Sequence, residues 1–175
     1  MDATDPVEAW LGQWREELPS VLNSSSELIK RVMFFAEVLN GMMRSELADL
    51  GLTAAEFDVL VALRRAGAPY RLKPNQLARS LMLSTGGTTN VTHRLVSREL
   101  VEREGDPDDA RSAWLRLTRQ GVALAERAVL VNAAAHDALF ESVPATAVDA
   151  ATVALRDVFA ACPALRGGDR RTRIA

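Results

Sequence analysis

The sequence predicts a mainly α-helical chain with a small β-ribbon set inside it, and three observations carry that reading. Apolar residues recur at three- and four-residue spacing along most of the chain, the period of helices with one buried face. Residues 101–103 and 114–117 have strand character and flank Gly105-Asp106-Pro107-Asp108-Asp109, a strong turn signal, so together they predict a hairpin. That hairpin follows a short helix, a turn and a longer helix within residues 73–118. Helix, turn, helix and ribbon in this order make a winged helix-turn-helix, an arrangement whose usual partner is duplex DNA.

Taken in order, residues 6–18 form a helix with Asp5 as cap and Pro6 at its first position, where a missing N–H costs nothing. Trp10 and Trp14 lie on one face; they either staple this helix to the body or place one ring in a ligand pocket. Residues 24–50 form a long helix in which Ser24 and Glu27 have capping-box spacing and Leu28, Val32, Phe35 and Leu39 build a broad apolar stripe. Gly51 stops it. Thr53 and Glu56 repeat the capping-box spacing for a third helix, which runs through Phe57, Leu60 and Leu63 to Gly67 and Pro69. An extended piece at residues 70–72 can add a third strand to the ribbon.

Pro74 opens the first helix of the helix-turn-helix, with Leu77, Leu81 and Leu83 on its apolar side. Ser84 can cap the next helix, which runs to about Leu100. At roughly 100° per residue, Thr88, Val91 and Leu95 share an inward face. Asn90, Arg94 and Ser97 share another, flanked by His93 and Arg98. Thr85, Gly86 and Gly87 are small, so the helix N-terminus can approach a phosphate and present bare N–H groups. Asparagine can bond an adenine edge, and arginine a guanine or a phosphate. A solvated helix shows the same kind of face, and the wing decides between the two. Arg111, at the hairpin tip, is placed to enter a minor groove. Asp109 could brace it with a charge-assisted bond, or the two could be an exposed pair that contributes almost nothing.

Thr118 caps a long alanine-rich helix reaching about Val143, and Pro144 starts a last helix ending at Cys162-Pro163. Helices apolar on several sides must be buried. A winged core cannot cover them all, so the terminal helices predict a twofold interface with a second copy. The domain reading is N-terminal helices over residues 1–50, a winged helix-turn-helix over 51–118, dimerisation helices over 119–166 and a tail over 167–175. The tail carries three arginines but is flexible by composition.

A chain of 175 residues, 48% hydrophobic, suits one core with appended helices and an interface. Neither an apolar run approaching the ~18 residues of a membrane span nor a basic-then-apolar leader is present, so a cytoplasmic protein without membrane contact is expected. One cysteine, Cys162, excludes an internal disulfide framework, and no Cys/His cluster suggests a metal; no cofactor is expected. The net charge of −2 is segregated: residues 71–119 hold nine Lys/Arg against six Asp/Glu, and the remainder twelve against seventeen. No nucleophile–base pairing is visible, so no enzyme is expected.

Residues 51–121 resemble the MarR family of bacterial transcription regulators. The resemblance rests on Gly51-Leu52-Thr53, Gln76-Leu77-Ala78, Thr88-Thr89-Asn90, Arg94-Leu95, Leu100-Val101-Glu102-Arg103, Asp106-Pro107-Asp108-Asp109, Arg111-Ser112 and Leu117-Thr118-Arg119-Gln120-Gly121, in that order and spacing. It implies a homodimer on a pseudo-palindromic operator, generally a repressor released by a small ligand or by oxidation. It implies DNA contacts from Thr89, Asn90 and Arg94 on the recognition helix and from Arg111 on the wing. Taken with the helix faces, the expected DNA-binding set is Gly86, Thr88, Thr89, Asn90, His93, Arg94, Arg98, Asp109 and Arg111. The chain departs from the family pattern at Ala110, where a second wing arginine is usual, and at Glu99, where glycine is usual. Glu99 must either adopt a left-handed conformation or extend the helix.

The resemblance is closer to the branch that responds to urate and related aromatic anions, through the extra N-terminal helix and residues 56–60 and 84–90. That branch implies a pocket using Trp10 and Asp58, with Thr89 and Val91 from the recognition helix. Val91 stands where the branch has an arginine, so an anion would lose its charge partner. Either the effector is a neutral aromatic, or Arg71 or His93 substitutes, or no such site exists. Cys162 reads as buried filler rather than a redox sensor. The alternative function is a small-molecule carrier on a winged-helix scaffold that no longer reads DNA.

Overall fold

The computed structural model describes residues 5–81, 85–106 and 109–163, with the side chains of residues 85, 86 and 109–112 left outside the description. The chain divides into two compact units, residues 1–51 and 52–175.

The first unit holds α1 (Pro6–Glu17) and α2 (Ser24–Asp49), joined through a 3-10 turn at Pro19–Val21. Asp5 caps α1 by accepting from the Val7 N–H at 2.9 Å. The α2 capping box sits one residue earlier than its expected place. Asn23 and Ser26 exchange the two bonds, each at 2.9 Å, rather than Ser24 and Glu27. Glu27 instead joins Asp5 and Glu8 around Arg31, at 3.5, 2.7 and 2.9 Å. This three-carboxylate hub ties α1 to α2. Val7 and Leu11 are the buried side chains of α1, while Trp10 touches Phe34 edge-on at 5.7 Å and stays half exposed. Trp14 is exposed too, so the staple is aliphatic and ionic rather than aromatic. Gly51, with φ 63°, ends the unit in the left-handed conformation that favours glycine.

The second unit is the winged helix. It contains α3 (Ala54–Arg65), β1 (Arg71–Leu72), α4 (Pro74–Ser80), α5 (Thr85–Ser97), β2 (Val101–Asp106), β3 (Asp109–Leu117), α6 (Arg119–Phe140) and α7 (Ala145–Ala161). The sheet order is β1-β3-β2, all antiparallel, so the short extended piece does add a third strand. Both hairpin strands run further than the local pattern indicates. Strand pairing continues to Asp106 opposite Asp109, where a register irregularity marks the tip. The core gathers Val59, Leu60 and Leu63 of α3, Leu77 of α4, Leu95 of α5 and Leu115 of β3, none more than 2% exposed.

Helix α5 ends at Ser97, earlier than expected, because Glu99 takes φ 56°. Leu100 N–H then donates to Leu95 O at 3.0 Å and Glu99 N–H to Val96 O at 3.0 Å, the paired bonds of a Schellman ending. Of the two alternatives for Glu99, the left-handed one holds. Thr118 caps α6, accepting from the Gly121 N–H at 3.0 Å, and Gly121, Ala125 and Ala128 are buried. The first half of α6 is therefore packed into the second unit. Helices α6 and α7 meet at 113°, and no single helix among the described residues is long and apolar enough to cross a membrane. Helix α7 buries none of its residues.

Candidate nucleic-acid interface

Two faces of α5 are now assigned by packing. Thr88, Val91, Thr92 and Leu95 point inward, none more than 6% exposed, and Thr92 Oγ1 donates back to Thr88 O at 2.7 Å. Thr88 was expected both on the inward face and among the DNA contacts; its side chain lies on the inward face. Val91 is likewise a core residue at 5% exposure. Thr89, Asn90, His93, Arg94 and Arg98 stand on the exposed face. The side chains of Gly86's neighbour Thr85, of Asp109 and of Arg111 lie outside the described residues, as does Ser84, the expected cap. The Asp109–Arg111 brace therefore has no geometry here.

The outward arginines are anchored from beneath. Glu56 is buried at 4% exposure, and its Oε2 accepts from the Thr53 N–H at 2.8 Å and from Thr53 Oγ1 at 2.9 Å, closing the α3 capping box. Its Oε1 accepts from Arg98 Nη1 at 3.3 Å and lies 3.7 Å from Arg94 Nε. Burial alone would raise this carboxyl's pKa. The Thr53 backbone and side-chain bonds, with the Arg98 and Arg94 charges, outweigh that and leave it below its ordinary value.

The wing is fixed to its strand neighbour by a second set of charges. Lys73 Nζ sits 2.7 Å from Asp106 Oδ2, whose side chain is 4% exposed. The Trp114 ring receives two cations, Arg71 at 4.6 Å and Lys73 at 5.1 Å from its centroid. Arg71 also donates to Glu104 Oε1 at 3.0 Å. Arg116 lies between Glu102 at 2.8 Å and Glu104 at 3.1 Å; the Nε contact to Glu104 is within ion-pair reach but forms no hydrogen bond. Arg71 thus joins the wing through both Trp114 and Glu104. The sequence pairs none of Lys73, Asp106, Arg116 or Trp114 with these partners, because each partner is distant in the chain.

Two small pockets flank α5 and α3. One, of about 210 Å³, lies between α4, α5 and the ribbon, lined by Pro74, Ala78, Thr89, Thr92, Arg103 and Leu115. Arg103 also approaches His93 Nε2 at 3.5 Å. The other, of about 190 Å³, lies between α3 and α4 and includes Asp58, Arg65 and Ser80. Burial pushes the Asp58 carboxyl up. Thr89 and Asp58, expected in one ligand site, line different pockets, and Val91 lines neither. Trp10 lies in the first unit. No group of three or more His, Cys, Asp or Glu among the described residues is arranged to hold a metal ion.

A family model described as the MarR family matches residues 50–112. The chain is 32% identical over 117 residues to the HTH-type transcriptional regulator PecS of Dickeya dadantii (strain 3937), covering 67% of this chain and 70% of that one. The chain belongs to the MarR family. Among other MarR relatives, the multiple antibiotic resistance protein MarR of Escherichia coli (strain K12) is 28% identical over 135 residues, covering 73% of this chain and 92% of that one. The structure of a mutant E. coli MarR complexed with operator DNA superposes with a TM-score of 0.66 at 28% identity, covering 83% of this chain and 96% of that one. The winged-helix architecture of this MarR-family chain is therefore the one its solved relatives share.

Proposed function

We propose that this MarR-family chain is a sequence-specific, double-stranded-DNA-binding transcriptional regulator, a homodimeric repressor released by a small aromatic or phenolic ligand. The observation that carries the reading is the α5 face: Thr89, Asn90, His93, Arg94 and Arg98 are exposed on a helix whose other side is locked into the core, beside a braced three-stranded wing. The E. coli MarR complex with operator DNA supports it. Arg111 joins from the wing, in a minor groove. A twofold partner follows from α6 and α7, which leave Leu130 70%, Val153 52% and Phe159 54% exposed. Two copies of α5 then face a pseudo-palindromic operator, and the protein works in the cytoplasm.

The pocket beneath α5 supports ligand control. It is small and mostly apolar in surface, with Asn75, three threonines (Thr88, Thr89 and Thr92) and Arg103 as its polar residues, so it suits one aromatic ring bearing a hydroxyl or an acid. An occupant there touches the helix that reads DNA.

Fluorescence anisotropy with DNA from upstream of the chain's own gene, titrated across salt, tests the reading. A steep salt dependence with a clear excess over scrambled DNA is expected. Arg94→Ala should weaken binding to all DNA with a shallower slope, and Arg111→Ala should hurt most at A·T-rich flanks. Weak binding without sequence preference, from an intact dimer, would overturn it in favour of a small-molecule carrier.

A further inference from the structure

We infer that Glu56, a buried residue of α3, is a positioning residue for DNA reading by α5. The inference rests on the proposal that α5 meets DNA.

Arg94 and Arg98 stand one helical turn apart, where like charges repel and would splay. Between and beneath them lies Glu56 Oε1, 3.3 Å from Arg98 Nη1 and 3.7 Å from Arg94 Nε. The carboxylate itself cannot swing, because Oε2 is held by the Thr53 N–H at 2.8 Å and the Thr53 hydroxyl at 2.9 Å. Its position is therefore set by the first turn of α3, an element packed directly on α5. Arg94 is engaged through Nε, the inner end of its guanidinium, and its side chain remains 57% exposed. The outer nitrogens stay available for a phosphate or a guanine edge.

The consequence is a division of labour. An unbraced arginine loses rotamer freedom when it binds, and it can turn to whichever phosphate is nearest. A braced one has already lost that freedom and presents its fork in one direction. Glu56 thereby trades indiscriminate phosphate attraction for directed contact. It also places a fixed negative charge under the recognition helix, which lowers affinity for duplex DNA of any sequence.

Glu56→Gln tests this, since glutamine also completes a capping box through its carbonyl and leaves α3 capped. The probes are the duplex that the wild-type chain selects from a randomised pool and a scrambled duplex. Glu56→Gln should keep the fold and the oligomeric state, with a thermal midpoint lowered at neutral pH by the loss of the carboxylate's ion pairs. It should reduce preference for the selected duplex roughly tenfold, and its scrambled-DNA binding should steepen in salt by about 2 per protomer as the freed Arg94 and Arg98 find phosphates. In an Arg94→Ala/Arg98→Ala background, Glu56→Gln should change preference no further. Unchanged preference and slope, or the same loss in the arginine-free background, would overturn the inference while leaving the α5 reading intact. If the two arginine variants bind DNA as the wild type does, the α5 reading itself fails and this one with it.

Discussion

Gly121 lies so close to the carbonyl of Leu100 that a Cβ added to it would collide with that oxygen and carbon, and would also come within 3.3 Å of Leu117 Cδ2. The first turn of α6 is thereby seated on the residues that end α5. Thr118 completes the joint, donating its N–H to Leu100 O at 3.1 Å and its hydroxyl to Glu99 O at 2.8 Å. Gly121→Ala should cost about 2–4 kcal/mol, because the clash is with backbone that cannot rotate away. Urea unfolding checks it, and a loss below about 0.5 kcal/mol would mean that the joint relaxes freely.

Glu99 sits at that same joint with φ 56°, a conformation that crowds a Cβ against the following carbonyl. Glu99→Gly should raise stability by about 1 kcal/mol. Glu99→Ala keeps the Cβ and should bring no gain. Thermal melts of the two variants side by side separate backbone relief from loss of the charge.

The Lys73–Asp106 pair holds the far end of β2. Asp106 is buried while Lys73 is one-third exposed, so the bond is partly screened. Lys73→Met should cost about 1–2 kcal/mol, less than breaking a fully buried pair. Amides of β2 and β3 should exchange faster with deuterium than those of α3 in this variant. Uniform acceleration across the unit would show that the pair stabilises the whole fold and not the wing alone.

Two carboxylates two residues apart on α3 have their pKa values shifted in opposite directions. Glu56 is held below its ordinary pKa despite burial, so its stabilising contribution is present above about pH 4.3, the unfolded value, and is lost as pH falls through the folded value. Asp58 is pushed up by burial, so its charged form costs stability at neutral pH and the cost disappears below about pH 4. At pH 7, Glu56→Gln should be the less stable of the two neutral variants and Asp58→Asn should exceed the wild type. Both differences should shrink in acid. An Asp58→Asn variant less stable than wild type at pH 7 would place that carboxylate in a favourable contact rather than a desolvated one.

The elements and their order are written in short-range signals. Helix periodicity, the Thr53–Glu56 spacing, Pro74, the cap at Thr118 and the Gly105-Asp106-Pro107 turn signal are all local, so a few neighbouring residues carry each one. Local signals also erred locally: the α2 cap moved by one residue because Asn23 competes with Ser24 for the same role, and α5 stopped early because Glu99 turned left-handed. Which charges meet is settled by packing instead. Glu56 reads as a helix cap in sequence, and its second role needs α5, forty-two residues on, to be packed against α3. Lys73 finds Asp106, and Arg116 finds both Glu102 and Glu104, through strand register that no local pattern specifies. The separation of Thr89 and Asp58 into two pockets has the same origin, because a pocket is the space left between elements and exists only once they have packed.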